Sequence, residues 1–179
     1  MKRPKVSVFL ALSLDGYIAG EGHDLTWLMD YSSDPPESTG YTDLVSSVDV
    51  LVLGRNSYDT VLALGPWLYE GLKVIVLTGR PLEPLYGEEV YNGPLKLLLE
   101  RLKGHGCRHI YLDGGQAVRQ GLELGVVDEL TLTWIPVVLG AGIPLFRPGL
   151  PRSKWRLAEA RSLPSGLAQA VYVPEKSGR

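Results

Sequence analysis

The chain has 179 residues, of which 45% are hydrophobic and 21% are charged, so length and composition predict one globular domain spanning residues 1–179. The formal net charge of −2 disfavours nucleic acid and membrane surfaces as partners, because both usually require an excess of Lys and Arg. A single cysteine, Cys107, excludes an internal disulfide and a cysteine-rich zinc site.

The first apolar run, residues 5–12, is too short to span a membrane and predicts a strand rather than a signal peptide, so a cytoplasmic location is expected. Residues 13–36 are rich in Gly, Asp and Ser and predict a long loop, which in a compact domain is usually functional. Further strands are predicted at residues 49–53, 73–77, 108–112 and 126–138, and helices at 37–48, 57–64, 94–103 and 116–124. Gly40 weakens the first of these helices.

The chain ends in two strand patterns, residues 154–163 and 167–175, on either side of Pro164-Ser165-Gly166, which predict a β-hairpin. Before them, strands and helices alternate. This order predicts a three-layer α/β fold: a mainly parallel mixed sheet, helices on both faces, and a C-terminal antiparallel hairpin.

Three successive predicted strands end in glycine next to polar or cationic residues. The three segments are Gly54-Arg55-Asn56-Ser57, Thr78-Gly79-Arg80 and Asp113-Gly114-Gly115-Gln116. Ligands of open α/β sheets bind beyond the carboxyl ends of the strands, and the N-terminus of a helix offers free N–H groups to phosphate. The repetition indicates a site for an extended ligand with several phosphates, such as a dinucleotide.

Each segment also has a purely structural interpretation. Glycine after a strand commonly forms a turn, and Arg55 could simply pair with Asp59 four residues on. The chain lacks the G-x-G-x-x-G and G-x-x-x-x-G-K-[ST] motifs, which disfavours a Rossmann dehydrogenase and excludes a P-loop hydrolase. The three histidines, His23, His105 and His109, have no metal-ligand spacing, so no metal site is predicted.

Four motifs in order, "SLDGYIAG", "LGRNSYDTV", "YLDGGQAV" and "GVVDELTLTWIPVVLGAGIPLF", resemble the dihydrofolate-reductase-like superfamily. The resemblance is closer to the riboflavin-biosynthesis reductase domain, the C-terminal half of the deaminase-reductases, and to its stand-alone relatives. It covers roughly residues 6–173 and implies an NADPH-binding oxidoreductase that is usually a homodimer. The dimer is expected to form partly through the 126–138 strand and the terminal hairpin.

The resemblance also implies roles for individual residues. Ala11 and Leu12 would lie near the nicotinamide, and Gly54, Arg55, Asn56 and Ser57 would hold the adenosine-side phosphates, with Arg55 at the 2′-phosphate. Thr78, Gly79 and Arg80 would flank the adenine ribose. Gly114, Gly115, Gln116 and Ala117 would hold the pyrophosphate.

The expected reaction is hydride transfer to a small heterocyclic or sugar-amine substrate, resembling a riboflavin precursor. Asp113, Asp15 or a bound water would deliver the proton, although Asp15 could equally hold its own loop by hydrogen bonds. Two other functions stay open: binding of a nucleotide without turnover, and reduction of dihydrofolate. The latter is disfavoured because the position five residues after Trp27 is Ser32, and Asp30 and Asp43 are out of register for a pterin-binding carboxylate.

Overall fold

The structure is a computed structural model that describes residues 3–31 and 35–175. Its main sheet has eight strands in the order β5-β4-β3-β6-β1-β7-β10-β9. In chain order the strands of this sheet are β1 Lys5–Ser13, β3 Val50–Gly54, β4 Lys73–Leu77, β5 Glu89–Tyr91, β6 His109–Asp113, β7 Glu129–Ile135, β9 Trp155–Ser162 and β10 Ala168–Pro174. The six strands from β5 to β7 pair in parallel, whereas β10 and β9 are antiparallel.

Two further strands, β2 (Tyr17–Ala19) and β8 (Ile143–Pro144), pair in a small antiparallel sheet outside the main one. The helices are α1 Thr26–Met29, α2 Pro36–Thr39, α3 Tyr41–Ser47, α4 Arg55–Leu64, α5 Leu95–Gly104 and α6 Gly115–Glu123, with a 3-10 turn at Glu21–His23. Within the described residues, no helix is long and apolar enough to cross a membrane.

The helices cover both faces of the sheet, as the alternation of elements predicts. Leucines of α5 and apolar residues of α6 pack on one face, against side chains of the central strands such as Val6, Val52 and Ile110. Tyr58 and Val61 of α4 pack on the other face, and α3 adds partly buried side chains there. The three-layer, mainly parallel fold with a terminal hairpin is therefore confirmed.

Two predicted elements differ from the structure, and strand β5 has no counterpart among the predicted elements. The helix expected at residues 37–48 is broken by Gly40, whose φ of 80° does not belong to a right-handed helix, so α2 and α3 form separately. The strand expected at 126–138 covers only β7. Residues 126–128 lie before the strand, with the Val126 N–H donating to the Gly121 carbonyl of α6, and Pro136, directly after β7, has no N–H to donate. The short β5 has no long apolar run to reveal it.

Candidate active site

A cleft of about 730 Å³ lies at the carboxyl ends of β1, β3, β4 and β6. These ends lie together because parallel strands share one edge of the sheet. The volume is in the range of pockets that bind cofactors and other small molecules. Twelve of the fifteen site residues predicted from the sequence line this cleft: Ala11, Gly54, Arg55, Asn56, Ser57, Thr78, Gly79, Arg80, Asp113, Gly114, Gly115 and Gln116.

The structure does not bring the side chains of Leu12 and Ala117 into the cleft. They are only 2% and 1% exposed, and both belong to the core beneath the cleft floor. Side chains of a strand alternate between faces, so Leu12 points into the same core as Val6 and Val8. The side chains of both residues therefore pack in the core, and a role near the nicotinamide for Leu12 or at the pyrophosphate for Ala117 stays a prediction that would involve the backbone.

The N-terminus of α4 carries a network of charged and amide groups. Arg55 Nε donates to Asp59 Oδ1 at 2.8 Å, and another guanidinium nitrogen donates to the Pro81 carbonyl at 2.9 Å. Arg80 donates to Asn56 Oδ1 at 2.9 Å and lies 3.4 Å from Asp59. The Arg55–Asp59 pair, which the sequence offers as the structural alternative for Arg55, is thus present, and Asp59 is shared between two arginines.

Of two glycines that line the cleft, Gly114 is required by the local structure and Gly54 is not. A Cβ at Gly54 would lie 3.9 Å from its nearest neighbours, and its φ of −69° is ordinary, so neither packing nor conformation demands glycine there. Gly114 has φ +91°, and a Cβ would lie 2.6 Å from Ser57 Oγ, so the two loops cross too closely for a side chain. The backbone of Gly54 remains open to a close approach by a ligand, as a phosphate cradle requires.

Asp113 is the acidic group of this cleft. It ends β6 directly before Gly114, and burial away from water raises the pKa of its carboxyl to about 6, against an opposing hydrogen bond from the Gly114 N–H. Burial disfavours the charged form of a carboxyl group. A carboxyl group that titrates close to neutral pH can hold a proton and release it, which is the property required of a general acid.

Three tyrosines lie close enough to Asp113 for its charge to raise their pKa values. Burial raises the pKa of Tyr41 to about 12, and the negative charge of Asp113 adds to the shift. The pKa values of Tyr69 and Tyr111 are raised by the same two causes. Tyr41 also packs edge-on against Tyr111, with ring centroids 6.3 Å apart. These hydroxyl groups stay protonated at neutral pH, so Asp113 is the proton-exchanging member of the cluster.

Asp15 does not line the cleft. Its carboxylate accepts hydrogen bonds from Ser13 Oγ and from the backbone N–H groups of Leu139 and Gly140. The Ser13 hydroxyl is the largest of the causes that lower the pKa of Asp15 to about 2. Asp15 ties the first loop to residues 139–140, as the structural alternative for this residue expects. A carboxylate that is ionised at neutral pH and has these partners is a poor proton donor, which favours Asp113 over Asp15 for that role.

Several lining residues carry no local signal that sequence reasoning could use. His23 and Leu28 come from the long first loop, Arg147 follows β8, and Gln120 lies one turn into α6. They reach the cleft through contacts between distant segments, such as the pairing of β2 with β8. The apolar residues that line the cleft include Phe9 and Leu28.

The profile of the family described as "RibD C-terminal domain" matches residues 4–169. The chain belongs to this family. Two Bacillus subtilis proteins, both described as uncharacterized, are similar over nearly their whole length. YwjB is 35% identical, and the aligned region covers 94% of this chain and 95% of YwjB. YyaP is 28% identical, and the aligned region covers 96% of each protein.

Solved structures show the same fold. A protein provisionally assigned to riboflavin biosynthesis in Shewanella sp. PV-4 is 32% identical, with a TM-score of 0.85 and coverage of 96% of this chain and 99% of that one. A pyrimidine reductase-like protein of Corynebacterium diphtheriae is 18% identical, with a TM-score of 0.76 and coverage of 97% and 93%. The deaminase/reductase of Thermotoga maritima is 16% identical, with a TM-score of 0.71. The superposition covers 97% of this chain and 57% of the Thermotoga protein. The resemblance to the riboflavin-biosynthesis reductase domain is therefore confirmed, and it favours a reductase.

Proposed function

We propose that the protein is an NADPH-dependent reductase that transfers hydride to a small heterocyclic or sugar-amine substrate of the riboflavin-precursor type. The observation that carries this proposal is the position of Asp113, a desolvated acid with a pKa near 6, directly beside the glycines that begin α6 in the same cleft. A hydride acceptor also needs a proton, and Asp113 is placed to supply it.

The volume of the cleft and the arginines that line it suit a dinucleotide cofactor that carries several phosphate groups. Arg55 and Arg80 would hold the 2′-phosphate, and the free N–H groups at the N-termini of α4 and α6 would bind the pyrophosphate. NADPH, when bound, supplies the hydride, while the protein supplies orientation and electrostatics. The open backbone at Gly54 allows the close approach that this requires.

The substrate would lie between the end of β1 and Asp113. Phe9, Leu28 and Tyr111 offer an apolar and aromatic wall there, suited to a flat ring. Asp113 would protonate the product and regain its proton from solvent. The name of the Thermotoga protein includes 5-amino-6-(5-phosphoribosylamino)uracil reductase, so that compound is the first acceptor to test.

Reduction of dihydrofolate is less well supported. Asp30 and Asp43 are both exposed and neither lines the cleft, so neither offers a carboxylate to a pterin; Ser32 lies outside the described residues. We expect negligible NADPH consumption with dihydrofolate.

We further propose a homodimer formed through β9. Of the strands expected at the interface, β7 lies between β1 and β10 and therefore has no free edge. Strand β9, the outer strand of the hairpin, is a free edge of the sheet, and seven of its eight residues are exposed, including Leu157. An uncovered edge strand of this length favours pairing with another strand.

The test is NADPH binding followed by turnover. We expect saturable quenching or enhancement of NADPH fluorescence, and oxidation of NADPH when 5-amino-6-(5-phosphoribosylamino)uracil is added. In Asp113→Asn, binding should persist while the rate falls roughly 100-fold or more. Binding without oxidation by any riboflavin-precursor acceptor would favour the non-catalytic nucleotide-binding alternative, and no binding at all would overturn the proposal.

A further inference from the structure

The guanidinium group of Arg80, which lines the cleft, is held through its Nη2 nitrogen. Nη2 donates to Asn56 Oδ1 at 2.9 Å and to Asp59 Oδ2 at 3.4 Å. Nε and Nη1 make no hydrogen bond to any of the residues that the structure describes, 3–31 and 35–175. The side chain is 61% exposed, so these remaining N–H groups are open to an incoming anion.

The backbone of Arg80 is anchored separately from its side chain. The Arg80 N–H donates to Thr78 Oγ1 at 2.9 Å, and the Thr78 hydroxyl donates to the Arg80 carbonyl at 3.1 Å. Thr78 is buried and lies directly after β4. A long arginine side chain loses much conformational freedom when it is held in one orientation. The direction of the guanidinium group therefore depends on its side-chain partners, Asn56 and Asp59.

The amide group of Asn56 is itself held in one orientation. Because a guanidinium group can only donate, the amide oxygen of Asn56 must face Arg80, and its NH₂ group must face His23. Asn56 Nδ2 lies 3.2 Å from His23 Nε2, and an imidazole nitrogen without a proton accepts from an NH₂ group. A flipped amide would place its NH₂ group against Arg80, where both groups would donate. Contacts on both sides of Asn56 thus fix which atom meets the arginine.

Asn56 and Asp59 affect a phosphate-binding arginine differently. Asp59 Oδ1 accepts from Arg55 Nε at 2.8 Å, so the 3.4 Å bond between Asp59 and Arg80 is the weaker of the two. A carboxylate also repels a phosphate group, whereas a neutral amide holds the guanidinium group without adding a negative charge. The contact with Asn56 is therefore the one that suits anion binding.

We propose that Asn56 is a positioning residue for the choice of cofactor, because it holds the Arg80 guanidinium group toward the 2′-phosphate of NADPH. This inference rests on the proposed function. It gives Asn56 an effect that passes through Arg80, in place of a bond of its own to the phosphate. A donor that is already oriented loses less conformational freedom when the ligand binds. NADH lacks the 2′-phosphate, so its affinity should not depend on Asn56.

The experiment is a double-mutant cycle in which the Kd values for NADPH and NADH are measured by nucleotide fluorescence. Asn56→Ala should raise the Kd for NADPH about 3- to 5-fold, less than the roughly 10-fold expected for Arg80→Ala. The double variant should bind NADPH as Arg80→Ala alone does, because Asn56 then has no guanidinium group to position. An unchanged Kd for NADH in Asn56→Ala shows that the cleft is intact.

Asn92→Ala is the matched control. Asn92 is the other asparagine of the chain and lines the same cleft, and no hydrogen bond joins it to Arg80 within the part of the chain that the structure describes. This variant should leave the ratio of the two Kd values unchanged.

Several results would overturn the inference while the proposed function stands. They are an unchanged ratio of Kd values in Asn56→Ala, an unchanged ratio in Arg80→Ala, and equal losses of affinity for both nucleotides in Asn56→Ala. A further loss of NADPH affinity when Asn56→Ala is added to Arg80→Ala would show that Asn56 is a direct phosphate ligand. Failure of the wild type to bind either nucleotide would overturn the inference and the proposed function together.

Discussion

Asp113→Asn should make the folded protein more stable at neutral pH although it removes the proposed proton donor. The carboxyl group has a pKa of about 6 in the folded protein, against an ordinary value of 3.8. At 1.36 kcal/mol for each tenfold change, ionised Asp113 costs the folded state about 3 kcal/mol. Asparagine has the same shape, cannot ionise, and can still accept the hydrogen bond that the Gly114 N–H donates.

The sign of the effect depends on pH. Below about pH 4 the carboxyl group is protonated in both states, so it adds no penalty. Between about pH 4 and pH 6 the unfolded chain ionises first, the folded state holds more protons, and its stability falls as pH rises. Above pH 6 the penalty is complete, so the gain from Asp113→Asn should be near zero at pH 4 and reach up to about 3 kcal/mol at pH 7.

Urea denaturation of the wild type and the variant at several pH values measures this gain directly, without substrate or cofactor. Asp43→Asn is the matched control, because Asp43 is exposed on α3, and its stability effect should not follow this pH dependence. A stability difference between wild type and Asp113→Asn that is the same at pH 4 and pH 7, or a less stable variant at pH 7, would refute the reasoning.

Three other predictions can be tested with simple variants. Arg80→Ala should raise the Kd for NADPH about 10-fold and leave the Kd for NADH nearly unchanged. Arg55→Ala should raise the Kd for NADPH by a smaller factor, because Arg55 already donates to Asp59 and Pro81. Equal losses of affinity for both nucleotides would contradict a contact with the 2′-phosphate. Gly142→Ala places a Cβ against the Ala19 carbonyl and should lower the free energy of unfolding in urea by more than about 2 kcal/mol. Gly149→Ala, also at positive φ but with open space around it, should lower it by about 1 kcal/mol. Similar losses of stability in the two variants would show that the contact with Ala19 is unimportant. Leu157→Glu on β9 should convert a dimer to a 19.6 kDa monomer in light scattering, whereas Leu97→Glu on α5 should not, and an unchanged mass would place the interface elsewhere.

The sequence predicts the parts of the fold that depend on local patterns. Continuous apolar runs reveal the buried strands β3, β4 and β6, and the glycines after them mark the cleft because parallel strands end at one edge. The role of Asp15 is different: its backbone partners Leu139 and Gly140 are 124 and 125 residues away, so no local pattern reveals them. The contact between His23 and Asn56 depends on the same kind of long-range placement.

Gly40 shows a further limit of pattern reasoning. The apolar spacing around it fits one helix, but the chain turns at a left-handed residue, and the Arg161 guanidinium of the terminal hairpin donates to the neighbouring Thr39 carbonyl. A Cβ at Gly40 would lie 3.1 Å from that guanidinium. Distant packing thus fixes a boundary that the low helix propensity of glycine only makes possible.

The position of β1 constrains how the protein acquires its structure during synthesis. Although it is the first strand of the chain, β1 pairs with β6 and β7, whose residues are made about 100 or more positions later. At ribosomal speeds of 5–20 residues per second, this apolar segment waits roughly 5–25 seconds without a partner strand. The nascent chain therefore exposes this apolar segment until the centre of the sheet can form, and we expect the yield in cells to depend on chaperones that shield β1 during that time.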